Sequence, residues 1–115
     1  MLLKLRTVIY HVSNLTAAKE WYANLTGVQP YFDEPFYVGF DINGFELGLD
    51  PSPDIFTDGN HSVSYWAVED IKASVEKFVA AGATLVQDIT NVGGPVHVAV
   101  VADPFGNNIG LITGA

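Results

Sequence analysis

The chain has 115 residues, 49% of them apolar, no cysteine, and thirteen acids against five bases for a formal charge of −8. That length supports one domain rather than two independent cores, and the acid excess argues against nucleic acid and anionic membrane surfaces as partners. The absence of cysteine excludes disulfides, thiolate metal sites and cysteine nucleophiles.

The longest apolar run, Val98 to Ala102, is too short to cross a bilayer. Residues 1–6, MLLKLR, are too short an apolar segment for a signal peptide. A cytoplasmic protein is therefore expected, and the Asn-x-Ser/Thr matches at Asn14, Asn24 and Asn60 carry no weight. Between Asp33 and Asp58 lie seven acids and no Lys or Arg. That stretch reads either as a solvated edge or as a rim that attracts a cationic ligand.

Lys4 to Val12 is rich in β-branched and apolar residues and predicts a strand. Asn14 caps a helix whose apolar stripe is Leu15, Ala18, Tyr22 and Leu25, with Gly27 as its stop. Short extended runs follow at Tyr31–Phe32, Phe36–Ile42 and Phe45–Asp50, the last two joined by Asn43-Gly44, a strong hairpin signal. Residues 51–60, PSPDIFTDGN, read as a linker. The order then recurs. Ser62–Val68 predicts a strand, and Asp70 caps a helix with Ile71, Val75, Phe78 and Val79 on one face and Gly82 after its end. Thr84–Asp88, Val96–Ala102 and Asn107–Thr113 complete three strands, the last entered through Asp103-Pro104-Phe105-Gly106. Each half reads strand, helix, three strands: a first βαβββ module over 1–50 and a second over 61–115, expected to pack as a pseudo-twofold pair.

The halves also share a motif, DINGFELGLD at 41–50 and DPFGNNIGLI at 103–112. Side chains alternate along a strand, so Leu47 and Leu49, like Ile109 and Leu111, should face the helices. Glu46, Gly48 and Asp50, like Asn108, Gly110 and Ile112, should face the other way. A glycine inside a strand marks a bulge, sheet curvature, or a place where something approaches the backbone closely.

The segments VSNLTAAKEWYANLTGV, DEPFYVGFDINGFELGLDP, VEDIKASVEKFVAAGATLV and DPFGNNIGLI resemble the vicinal oxygen chelate superfamily of glyoxalases, extradiol dioxygenases and bleomycin-resistance proteins. The resemblance spans nearly the whole chain. It implies an α+β fold of paired βαβββ modules whose curved sheets form a cup, a homodimer, and a divalent metal in the cup. Carried over position by position, the family's ligand sites fall on Thr7, Gly48, Val63 and Gly110. Two glycines and a valine offer no donor, and a neutral threonine hydroxyl is a poor one. The expectation is therefore no metal and no cofactor. Enediolate chemistry of the glyoxalase kind, which needs a metal and a carboxylate to move protons, loses its usual support.

What remains in the expected cup is Thr7, His11, Glu46, Gly48, Val63, Tyr65, Asn108 and Gly110. His11 reads as a ligand contact or as a strand-end histidine bonded to backbone, and Tyr65 as a stacking group or as ordinary packing. Glu46 is the most informative acid: with no base near it in sequence, it is either wet or waits for a cationic or hydrogen-bond-donating ligand. His61 borders the linker and His97 opens a strand; with His11 and Glu46 they form a conceivable displaced metal site without a recognisable spacing. Trp21, Tyr22 and Trp66 read as core or interface residues. Phe36, Tyr37, Phe40 and Phe56 flank the cup entrance or a partner. The acids of DPSPDIFTDGNH lack the glycine and terminal Glu of a calcium loop, and neither a phosphate-binding loop nor a nucleophile elbow is present. The leading expectation is a metal-free dimer that binds a small organic molecule, cationic or antibiotic-like. The alternative is a lyase, isomerase or dioxygenase-type enzyme using a displaced metal or the acid–base groups His11, Glu46 and Tyr65.

Overall fold

Asn14 opens the first helix as the sequence predicts: its side-chain oxygen accepts from the Ala17 amide at 3.0 Å, one of the donors that a helix start leaves unpaired. Gly27 closes it at φ 73°, its amide returning to Ala23. The second helix begins the same way at Asp70, which accepts from the Ala73 amide at 3.0 Å. It ends in a Schellman turn, with Ala83 N–H donating to the Phe78 carbonyl and Gly82 N–H to Val79, Gly82 lying at φ 105°.

The computed structural model describes residues 1–52 and 63–115. The expected linker falls almost wholly outside the described residues, as do His61 and Phe56. The chain divides into two compact units, Met1–Ile55 and Phe56–Ala115. The first holds β1 (Thr7–His11), α1 (Leu15–Thr26), β2 (Phe32–Glu34), β3 (Tyr37–Ile42) and β4 (Phe45–Asp50). The second holds β5 (Ser64–Ala67), α2 (Ile71–Ala80), β6 (Thr84–Gly93), β7 (Val96–Ala102) and β8 (Asn108–Thr113). Each unit forms a four-stranded mixed sheet, ordered β1-β4-β3-β2 and β5-β8-β7-β6, in which the first strand runs parallel to the last. This is the α+β, twice-written βαβββ architecture the sequence predicts.

The repeated motif has a local explanation. In the first copy Asn43 and Gly44 both take positive φ, as a two-residue hairpin requires, and the Asp41 carboxylate accepts from the Gly44 amide at 2.7 Å. In the second, buried Asp103 accepts from the amides of Phe105 and Asn107 at 2.9 and 2.7 Å. Each aspartate fastens the turn that launches the glycine-bearing strand.

The cores follow the alternation. Leu47, Leu49, Val38 and Phe40 are buried where α1 lies against β3 and β4, beside Ala18, Tyr22 and Leu25. Tyr22 stacks on Tyr10 and meets Trp21 edge-on. In the second unit Ile109, Leu111, Ala99 and Val101 are buried, with α2 against β6, β7 and β8. Some expectations need correction. Lys4–Arg6 precede β1 rather than belonging to it, because its partner β4 begins only at the hairpin and the first backbone bond is Glu46 N–H to the Arg6 carbonyl. Phe36 likewise precedes β3, Asn107 precedes β8, and β2 runs to Glu34. β6 continues to Gly93, not Asp88, since β7 pairs with it through that length. Val79 is 47% exposed; on α2, Val75 is the residue that is buried.

Candidate functional site

On the face of the first sheet away from α1, Thr7, Ile9 and His11 of β1 stand level with Glu46, Gly48 and Asp50 of β4. Across β3–β4, Gly39 lies directly opposite Gly48 and Asp41 opposite Glu46. The paired glycines leave a bare patch two strands wide, and side chains from the same unit lie over it. A β-carbon at Gly48 would fall on the Tyr37 hydroxyl, and one at Gly39 would come within 2.7 Å of Glu46 Oε2 and 3.2 Å of the Tyr31 ring.

Glu46 is the centre of this arrangement. Its Oε1 accepts from Thr7 Oγ1 at 2.9 Å and from the Tyr37 hydroxyl at 3.0 Å, while Oε2 accepts from the Tyr31 hydroxyl. Arg6 Nη1 stands 3.6 Å from Oε1 and donates to Thr7 Oγ1 at 2.8 Å. Glu46, which the sequence leaves with no base nearby, thus has hydrogen-bond donors and a base within the chain. Its partners come from β1 and the residue before it, from the residue before β2 and from the start of β3, which strand pairing brings together. Burial pushes the Glu46 carboxyl up, but the hydroxyls of Tyr31, Thr7 and Tyr37, with the Arg6 charge, outweigh it and hold the group below its usual range. The tyrosines move the opposite way. Burial and the bond to Glu46 raise Tyr37, and the bond to Glu46 raises Tyr31. Near neutral pH the carboxylate is ionised and both phenols keep their protons. A carboxylate held ionised and phenols held protonated near neutral pH are fixed recognition elements rather than groups poised to exchange a proton.

Tyr31 and Tyr37 meet the carboxylate directly, and Phe45 lines a groove with it. Phe32 lies opposite Gly39, its ring centroid 6.1 Å from Tyr37 and 6.0 Å from Phe36. Tyr31, Phe32, Phe36 and Phe45 are all exposed. Arg6, Tyr31, Asp41, Gly44, Phe45 and Glu46 line an open groove of about 230 Å³. His11 lies level with Asp50, whose carboxyl is held low first by the Ser52 amide, at 2.8 Å, and also by the His11 charge.

In the second unit Tyr65 is directly opposite Gly110, and its ring occupies the space over it: a β-carbon there would come within 2.5–2.8 Å of three ring carbons. Tyr65 is 47% exposed. Asn108 is exposed at the start of β8 and Val63 is half-buried just before β5. His97 is held by the β6–β7 hairpin, Nδ1 to the Pro95 carbonyl at 3.2 Å and Nε2 against Asn91 Nδ2 at 3.3 Å. Thr7, Glu46, Gly48 and His11 thus share one face of the first sheet, and Tyr65 and Gly110 one face of the second. Arg6, Tyr31 and Gly39 were not singled out as site residues, and Tyr37 was placed only at the entrance.

The positions that the family resemblance assigns to a divalent ion do not fit one. Thr7 is engaged with Glu46, the space over Gly48 holds the Tyr37 hydroxyl, that over Gly110 holds the Tyr65 ring, and Val63 has no donor. Among the described residues no group of three His, Cys, Asp or Glu is placed to hold a metal ion.

The fold and its glyoxalase-like strand pairing define a class, and sequence comparison agrees. The profile of the Glyoxalase/Bleomycin resistance protein/Dioxygenase superfamily matches residues 4–111, so the chain belongs to that family. Among solved structures it is similar to a glyoxalase/bleomycin resistance protein/dioxygenase family enzyme from Burkholderia phytofirmans PsJN, at TM-score 0.80 and 20% identity over 96% of this chain and 98% of the other. It also resembles the fosfomycin resistance protein FosX from Listeria monocytogenes, at TM-score 0.79 and 14% identity, covering 100% and 96% of the two chains. A lactoylglutathione lyase from Agrobacterium tumefaciens superposes at TM-score 0.74 and 15% identity, covering 96% and 93%. A search of curated proteins finds no match. Among the described residues no helix is long and apolar enough to cross a membrane.

Proposed function

We propose that this chain is a binding member of its family that takes a small organic cation at the Glu46 face, without a divalent ion at the positions its family would use. The observation that carries this reading is the Glu46 carboxylate itself, kept ionised by three hydroxyls beside exposed aromatic rings. A carboxylate supplies the charge term for a cation, and ring faces supply the cation–π term, worth about 0.5–2 kcal/mol per contact. Structural neighbours that include an antibiotic-resistance protein and a lyase fit a family that handles small molecules. The low position of Glu46 and the high position of its tyrosines favour recognition over proton transfer. The reading includes a cytoplasmic homodimer, whose stoichiometry sedimentation tests directly.

Thermal shift is the discriminating experiment. Cationic aromatic compounds raise the Tm, uncharged isosteres do not, and Glu46→Gln abolishes the difference. Equal stabilisation by the uncharged isosteres overturns the cation class. For the metal, dialysis against a chelator leaves the Tm unchanged, and a stoichiometric divalent ion in protein purified without chelator overturns that part.

A further inference from the structure

Glu46 is one of two carboxylates set directly opposite each other, with Asp41 as its neighbour across β3–β4. Like charges in that relation repel, and Asp41 is partly occupied by the Gly44 amide. The cation set against Glu46 is Arg6, the one arginine in the sequence. Its contact is loose. At 3.6 Å from Oε1 the guanidinium is within ion-pair range but too far for a direct hydrogen bond. The Arg6 side chain is 73% exposed, against 11% for Glu46, and both line the same groove with the rings of Tyr31 and Phe45. A planar cation of the protein's own thus stands at the mouth of the site, hydrogen-bonded to Thr7 and beside the Tyr31 hydroxyl rather than bonded to the carboxylate it faces.

We propose that Arg6 is a resident competitor: its guanidinium occupies the approach to Glu46 and is displaced by ligands that carry a flat cation of the amidinium or guanidinium class. The inference rests on the cation-binding reading above. Arg6 has reach, five donors and exposure, so it swings into water at little cost when another cation takes the carboxylate. A ligand that brings a ring as well as a cation gains contact with Tyr31 and Phe45, the exposed rings that line the same groove. The same residue therefore selects against small hydrated cations, which bring no compensating stacking.

The test titrates the full chain and Arg6→Gln calorimetrically with benzamidinium and, in parallel, with uncharged benzamide. Glutamine keeps a donor for Thr7 and removes the charge. Benzamidinium binds Arg6→Gln about fivefold tighter than the parent, the scale of an exposed ion pair, while benzamide affinity does not change. In the parent labelled with ¹⁵N at arginine, the single Nε resonance shifts on saturation with benzamidinium, reporting release of Arg6. Equal or weaker benzamidinium binding by Arg6→Gln, or an unmoved Nε resonance, overturns the competitor role while leaving cation binding intact. Failure of both chains to bind benzamidinium overturns the cation reading and this inference together.

Discussion

A β-carbon at residue 48 has nowhere to go while Tyr37 lies over the backbone. Gly48→Ala is therefore expected to cost about 1–3 kcal/mol, the range of small-to-large changes at packed sites. Urea unfolding should show the penalty vanishing in a Tyr37→Ala background, where the obstructing ring is gone; an undiminished penalty would mean that backbone effects dominate. Glu46 makes a second prediction at this scale. Its folded value lies below the ordinary 4.5, so it stabilises the fold above that pH, and the contribution is lost as pH falls through the folded value. Thr7→Val removes one of the hydroxyls that hold it down, and the loss of stability as the pH falls below the ordinary carboxylate value should become shallower. An acid limb identical to the parent's would show that Thr7 contributes nothing to the carboxylate. Part of this site was legible in the sequence. Counting outward from Asn43-Gly44 pairs Asp41 with Glu46 and Gly39 with Gly48, so the bare patch was available to arithmetic. Arg6 and Thr7 were not paired with Glu46 by any local rule. A parallel strand pair joins residues 39 apart, and nothing between them fixes the register.

Helix limits were the most readable elements, because capping is local chemistry: Asn14, Gly27 and Asp70 all sit where a side chain or a positive φ is needed. Asp70→Ala is expected to cost about 1 kcal/mol, as loss of a helix cap does. Gly82→Ala should cost about the same or more, since φ 105° is a conformation that L-residues resist. Both are measured by urea midpoint at constant m-value, and a neutral Gly82→Ala would contradict the Schellman geometry. Strand ends were less readable. Pairing decides where a strand stops, so Lys4–Arg6 look like β1 in composition yet have no ladder beyond Arg6, while the polar run after Asp88 belongs to β6 because β7 continues beside it. Val79 shows the limit of periodicity, which marks a helix face without saying how far the sheet beneath it extends.

For the whole molecule, thirteen acids against five bases make charge repulsion a standing cost of the compact state. Added sodium chloride to about 0.5 M should raise the Tm, since screening then acts within a few ångströms; a lower Tm would show that pairs such as Lys19–Asp33, at 3.1 Å, outweigh the repulsion. The family was legible end to end, because glycine, aspartate and capping signals recur in both halves at matching places. What the site binds was not, since that depends on side chains gathered from separate strands. The outermost strand of the second sheet carries one more lesson. β6 slips register three times against β7, and Val86 and Val92, both exposed, fall within two of those slips. A ladder broken so often presents no long, evenly spaced row of amides to a neighbour. That irregular margin gives a second copy little to zip onto, although its valines would otherwise invite it.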